Sequence, residues 1–301
     1  MAQPGKAISG TAFATLLLIA LMMGANHVAA RIAFNNGVDV ATAVVFRSII
    51  TALVLMVLLR LQRARVRFTR RHWQMLPAIG LLVGIQSLCL YSSVARLPVA
   101  LALLAFNTYP IWTAFWSWVI YKHRPERALL VAMPVILVGL ALALDVMGGA
   151  SGLGAAGQWT RIGAGVAFAL AAAGTFGVAL VITQHETADV DGRVRTASTM
   201  SIAGVVALAT VALQGGFHLP TATPGWWGLA TLTFLYGTAF TIMFTVLPRL
   251  GVVGNSAIMN VEPVFALALA WLILGQAIAP VQVGGALIVV GAVMALGMRK
   301  R

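Results

Sequence analysis

The chain has 301 residues, of which 60% are hydrophobic and only 9% charged, with a mean hydropathy of +0.95 and a formal net charge of +13. That balance excludes an ordinary water-soluble globule and identifies an integral membrane protein. It also excludes nucleic-acid binding, because the apolar runs leave no exposed domain to carry the basic residues.

Apolar runs of about 20 residues, the length needed to cross the hydrocarbon as a helix, fall near residues 11–31, 40–60, 75–95, 98–120, 128–146, 161–183, 196–215, 226–247, 251–274 and 281–298. None alternates apolar and polar side chains over ten residues, so the spans read as helices and not as strands of a barrel. The first 30 residues, with Lys6, an apolar stretch and Val28-Ala29-Ala30, have the outline of a signal peptide. We read them as the first span, because its removal would leave the sixth without a counterpart.

The counterpart exists because the chain repeats. Arg96-Leu97, Asn107 and Pro110 recur 153 positions later as Arg249-Leu250, Asn260 and Pro263. Gly84 pairs with Gly237 at the same offset, and Gly139 with Gly291 after a one-residue slip. Residues 1–150 and 151–301 are therefore two copies of one unit. Five spans per copy is an odd number, so the second copy enters the membrane from the opposite side. The expected fold is all-α, with ten transmembrane helices as two inverted five-helix repeats around a central cavity, the architecture of alternating access.

Charge sets the orientation. With both termini cytoplasmic, the inner side collects 16 of the 20 Lys and Arg residues, including the six arginines from Arg60 to Arg71, and the positive-inside rule favours that arrangement. Arg31, Arg47, Arg96 and Arg161 remain. Arg47 lies inside the second span; one reading has it contact a carboxylate, and the favoured one has it snorkel or pair near the outer interface.

Polarity kept inside the bilayer marks function. Among seven acidic residues only Glu262 lies deep, next to Pro263, which cannot donate to the helix ladder and loosens the turn around Asn260. Asn107 and Pro110 repeat the arrangement in the fourth span, with Tyr109 where Glu262 stands. The functional reading is a pair of polar breaks offering carbonyls and amides to a substrate. The competing one is that proline bends the helices for packing. Asn255, Met259 and Glu262 share one helix face; Asn260, Val264 and Leu267 share another, and only one face can line a path.

The first span adds Asn26 and His27, and its counterpart adds Gly174, Thr175 and Phe176. His27 is by residue type a candidate to sense or carry a proton, although a lone histidine among apolar residues is commonly structural. Tyr91, Phe106, Tyr109, Tyr236 and Phe265 are the candidate walls of an apolar pocket, while Trp73, Trp118, Tyr121, Trp159, Trp226 and Trp227 suit the interfacial belt. Gly80, Gly84, Gly174, Gly177, Gly204, Gly284, Gly285 and Gly291 are expected to let helices approach closely. No H-E-x-x-H or G-x-S-x-G pattern points to an intramembrane enzyme. No cofactor or metal set is apparent.

Taken together, Arg47, the segment from Gly84 through Tyr91 to Arg96, Asn107 with Pro110, Val261-Glu262-Pro263-Val264-Phe265, Leu272-Ile273-Leu274-Gly275 and Gln282-Val283-Gly284-Gly285 resemble the ten-helix EamA branch of the drug/metabolite transporter superfamily. The resemblance spans almost the whole chain. Within that branch the sequence is most similar to YddG-type exporters of aromatic amino acids. The resemblance implies an inner-membrane exporter whose cavity is framed by spans one, three, four, six, eight and nine, with five and ten peripheral; the chain itself is expected to act as a monomer. It implies a small-molecule substrate, an amino acid such as phenylalanine or a related amphipathic metabolite; efflux of multiple drugs or lipophilic cations is the alternative, and a channel a weaker one. Two departures stand out. Gln276 occupies the place where the family usually carries Glu, and the first span bears Asn26 and His27 where four-helix multidrug relatives carry an essential Glu.

Overall fold

The computed structural model describes residues 10–62, 68–124, 127–246, 261–276 and 278–298. Among them every regular element is an α-helix: α1 (Gly10–Asn35), α2 (Val40–Leu61), α3 (Arg70–Arg96), α4 (Val99–Phe106), α5 (Tyr109–Tyr121), α6 (Arg127–Ala143), α7 (Gly154–Glu186), α8 (Gly192–Leu213), α9 (Thr223–Thr245), α10 (Glu262–Leu274) and α11 (Pro280–Met298). Six segments of the described residues are long and apolar enough to cross a membrane, the fourth being Val99–Tyr121, which contains both α4 and α5. Apolar side chains such as Leu53, Val131, Val205, Phe234, Trp271 and Leu272 stand on the outside, as a lipid-facing surface requires.

Local chemistry fixes the ends. Asp39 begins α2 by accepting the backbone N–H of Thr42 at 3.0 Å, after a turn in which Gly37 takes φ +93°. Thr69 and His72 form a reciprocal capping box at the start of α3. At its other end the Arg31 guanidinium reaches across from α1 and donates to the Val94 and Leu97 carbonyls at 2.7 and 3.3 Å. Between α6 and α7, Asp145 accepts the N–H groups of Ala150 and Ser151 at 3.0 and 2.8 Å, and these bonds hold its carboxyl below the usual carboxylate range.

The fourth span departs from a single run. Asn107 and Thr108 separate α4 from α5, and Pro110 sits in the first turn of α5, where its missing N–H costs no helical bond. Proline starts a new helix here and does not kink an old one. At the offset of 153, α10 has the same 13-residue length as α5, Pro263 occupies the same first turn, and both helices end on a left-handed residue, Lys122 at φ 58° and Gly275 at φ 63°. Asn260, Asn255, Met259 and Arg249-Leu250 lie outside the described residues.

Packing repeats the offset. The pair α1 and α9 is mirrored by α7 and α3, the pair α2 and α9 by α8 and α3, and the pair α1 and α10 by α7 and α5; α2 with α8 and α6 with α11 map onto themselves. Backbone geometry follows. A Cβ added to Gly24 would meet the Ala266 nitrogen at 3.0 Å, and one added to Gly177 would meet the Thr113 nitrogen at 2.9 Å. Each residue of the second contact lies 153 positions from its equivalent in the first. Gly80, Gly84, Gly204 and Gly285 also lie at close approaches, whereas among the described residues nothing lies within 4 Å of a Cβ added to Gly284 or Gly291, contrary to the packing role expected of them.

Candidate functional site

Two clusters flank the crossings at Gly24 and Gly177. The first is polar. His27, on α1 one turn beyond Gly24, places Nε2 3.3 Å from Oε1 of Glu262. Glu262 is the first residue of α10, so its carboxylate sits at a helix N-terminus, where unsatisfied N–H groups and the helix dipole favour negative charge. The His27 side chain is 3% exposed and that of Glu262 23%, so Glu262 forms the open edge of the pair. The adjacent Asn26 accepts the Tyr91 hydroxyl through Oδ1 at 3.0 Å, and the rings of His27 and Tyr91 meet edge to face at 5.6 Å.

The second cluster is aromatic. Phe106, Tyr109 and Phe176 form a triangle with centroid separations of 5.7, 5.5 and 5.3 Å, from α4, α5 and α7 respectively. Trp112 packs over Gly174 and Gly177 on α7. Phe265 occupies the equivalent place against Gly24. Asn107, at the break between α4 and α5, is buried with its Nδ2 unpartnered among the described residues.

Arg47 departs from its expected place at the interface. It is 3% exposed, and its guanidinium lies between the rings of Tyr91 at 4.4 Å and Tyr236 at 4.2 Å. Snorkelling requires the head group to reach water or lipid head groups, and here two tyrosines from α3 and α9 cover it. Among the described residues no Asp or Glu comes within 4 Å of it. Burying an ion costs several kcal/mol. Two ring stacks return about 0.5–2 kcal/mol each, which leaves part of that cost unmet.

The structure thus joins Asn26, His27, Tyr91 and Glu262 through direct contacts, links Tyr91 to Tyr236 through Arg47, and gathers Phe106 and Tyr109 with Phe176. The α10 face bearing Glu262, Phe265 and Ala266 is the one turned to α1; Val264 and Leu267 instead line an apolar crevice with α4 and α11. That crevice and an open depression around Phe34, Asp39 and His218 are lined by none of the polar cluster's own side chains. Sequence reasoning singled out Arg47 as an arginine inside an apolar run but favoured a place at the interface over the buried one it takes. Gln276, which stands where the family usually carries Glu, makes a neutral helix-end contact: its Oε1 accepts the backbone N–H of Val99 at the start of α4, at 3.1 Å.

The EamA-like transporter family matches residues 10–144 and again 163–298, two segments whose starts are 153 positions apart. The chain belongs to that family. It is a multi-pass membrane protein of the drug/metabolite transporter superfamily, and membership points to transport and not to catalysis. A solved structure described only as "Crystal structure of protein" shares the fold, with a TM-score of 0.63 at 18% identity over 97% of this chain and 99% of its own. Among curated proteins none matches this EamA-like sequence.

Proposed function

We propose that this EamA-like protein is an inner-membrane exporter of amino acids, aromatic ones such as phenylalanine foremost, and that it works by alternating access between residues 1–150 and 151–301. The carrying observation is the exchanged crossing of α1 with α10 and α7 with α5 beside a polar and an aromatic cluster. Counting α4 with α5 as one span, and 251–274 as another, gives five spans per repeat and hence inverted halves, with both termini cytoplasmic under the positive-inside rule. Two modules of this kind exchange shapes when one opens inward and the other outward.

The substrate's ring would stack against Phe106, Tyr109 and Phe176, where edge and tilted contacts favour a flat apolar group. Its ammonium would meet Glu262, the more open member of the His27 pair. Asn107 and Asn260 would serve the polar end, and Pro110 and Pro263 would keep both breaks in place. Efflux of lipophilic cations is disfavoured by the buried Arg47 charge, since like charges at close range in a poorly screened interior repel strongly. The protein is expected to act as a monomer in the bilayer.

The test is export from proteoliposomes preloaded with phenylalanine, tryptophan and threonine, with and without an imposed proton gradient. Phenylalanine and tryptophan should leave faster than from empty-protein controls. Retention of all three would end the amino-acid reading. Tags at the two termini should be accessible from the same side, and opposite accessibility would remove the inverted arrangement.

A further inference from the structure

The Arg47 environment asks for an anion. Two tyrosine rings lie 4.4 and 4.2 Å from the guanidinium carbon, and Tyr91 also takes a hydrogen bond from the group, so its remaining capacity lies in its other N–H donors. The Nε is buried without a hydrogen-bond partner among the described residues. One turn along the same face of α2, the Thr51 hydroxyl is also buried, with no hydrogen-bond partner among the described residues. Two orphaned donors side by side, one of them charged, are what an incoming carboxylate satisfies.

The scaffold does not require an arginine. At the offset of 153, Phe46-Arg47-Ser48-Ile49 corresponds to Thr199-Met200-Ser201-Ile202. Met200 fills the equivalent place on α8, and its sulfur lies 3.8 Å from the Tyr236 hydroxyl. An apolar side chain therefore packs this position in the second repeat. The first repeat holds a cation there instead.

We propose that Arg47, clamped between Tyr91 and Tyr236 with Thr51 beside it, is the receptor for the carboxylate of an arylalkyl carboxylic acid. The inference deepens the export reading, on which its choice of an aromatic substrate rests. Tyr91 is the shared wall. Arg47 stacks on it, while its hydroxyl and edge contact Asn26 and His27 of the polar cluster. A zwitterion with its carboxylate at Arg47 and its ammonium at Glu262 would bridge the two, so both ends of an amino acid find a partner. Rings at 4.4 and 4.2 Å restrict the guanidinium, and its planar fork of N–H donors matches a planar carboxylate.

The experiment measures binding of L-phenylalanine, 3-phenylpropionate and L-phenylalaninamide to the full-length purified protein by calorimetry, alongside phenylalanine export from proteoliposomes. Wild type should bind the amide about tenfold or more weakly than phenylalanine, because the amide lacks the anion. Arg47→Met should weaken phenylalanine and 3-phenylpropionate by a similar factor and leave the amide unchanged, and Arg47→Lys should lose less than Arg47→Met. Equal wild-type affinity for amide and acid overturns the proposal without any variant, so it stays testable even if Arg47→Met does not fold. A folded Arg47→Met that binds both acids as wild type does overturns it as well, even where phenylalanine export is intact. Arg47-dependent binding of 3-phenylpropionate without phenylalanine export would instead uphold the carboxylate site and sink the amino-acid reading. Binding of neither acid would end both.

Discussion

The α1–α10 crossing and the α7–α5 crossing share a backbone plan and differ in chemistry. Gly24 faces Ala266 in one as Gly177 faces Thr113 in the other, yet the residues that follow diverge. Beyond Gly24 come Asn26 and His27; beyond Gly177, at the same offset, come Ala179 and Leu180. Glu262 opens α10 where Tyr109 opens α5. Close backbone packing is thus kept in both copies, while polarity has been concentrated in one. The shared part serves the bundle, and the unshared part is where a substrate would be distinguished.

The largest effect expected from this asymmetry is at Glu262. Replacing it with leucine removes the partner of the buried His27 and the acceptor for an ammonium, so phenylalanine export should fall to background while the folded protein persists. Tyr109→Phe, the equivalent site in the other crossing, should leave export measurable, because the ring that meets Phe106 and Phe176 is retained. Export rates in proteoliposomes decide it. A Glu262→Leu protein that exports at the wild-type rate would make the polar crossing merely structural.

Next come the glycines. A Cβ at either Gly24 or Gly177 has backbone atoms of the crossing helix within about 3 Å, so neither neighbour can yield by rotating a side chain. Gly24→Ala and Gly177→Ala should each destabilise by about 1–3 kcal/mol, the usual range for overpacking. Thermal unfolding in detergent measures both. Similar losses support equivalent crossings; a loss confined to one would show that the packing, too, has diverged.

Asn26→Leu should be smaller in reach but visible, since the buried Tyr91 hydroxyl would lose its acceptor at a cost of about 1–3 kcal/mol. It would also free the ring that stacks on Arg47. Tyr91→Phe in the same background should recover part of the loss, because it removes the stranded hydroxyl. No recovery would mean that Asn26 acts through some other contact.

How much of this was legible beforehand follows from distance along the chain. The repeat was readable because one offset recurs, and the break at Asn107 was readable because proline acts on its own helix. The His27–Glu262 pair joins residues far apart in sequence, and nothing local to either shows the other. Arg47 was misread for the same reason: periodicity reports which face a residue occupies, but its two tyrosine covers come from α3 and α9. Gly284 and Gly291 look like packing glycines by composition, yet no described residue comes within 4 Å of a Cβ placed on either.

Gln276 offers the smallest test of the comparison. Its symmetry mate is His123, which instead joins Tyr121 and His185 at the end of α5, so the ends of α5 and α10 have diverged as their beginnings have. Pro98 begins α4 without a side-chain cap, and the Gln276 amide oxygen supplies the missing acceptor from across the bundle. Gln276→Ala should therefore cost about 0.5–2 kcal/mol, as the loss of a cap does. Gln276→Glu should add about 0.3–1 kcal/mol through the helix dipole. A carboxylate stabilised at that N-terminus has a depressed folded-state pKa, so the added stability should be present above the unfolded value of about 4.3 and vanish as pH falls through the folded one. Unfolding temperatures of wild type and Gln276→Glu compared at neutral and acidic pH would show the gain only at neutral pH; a gain of equal size at both would mean that the contact acts by shape and not by charge.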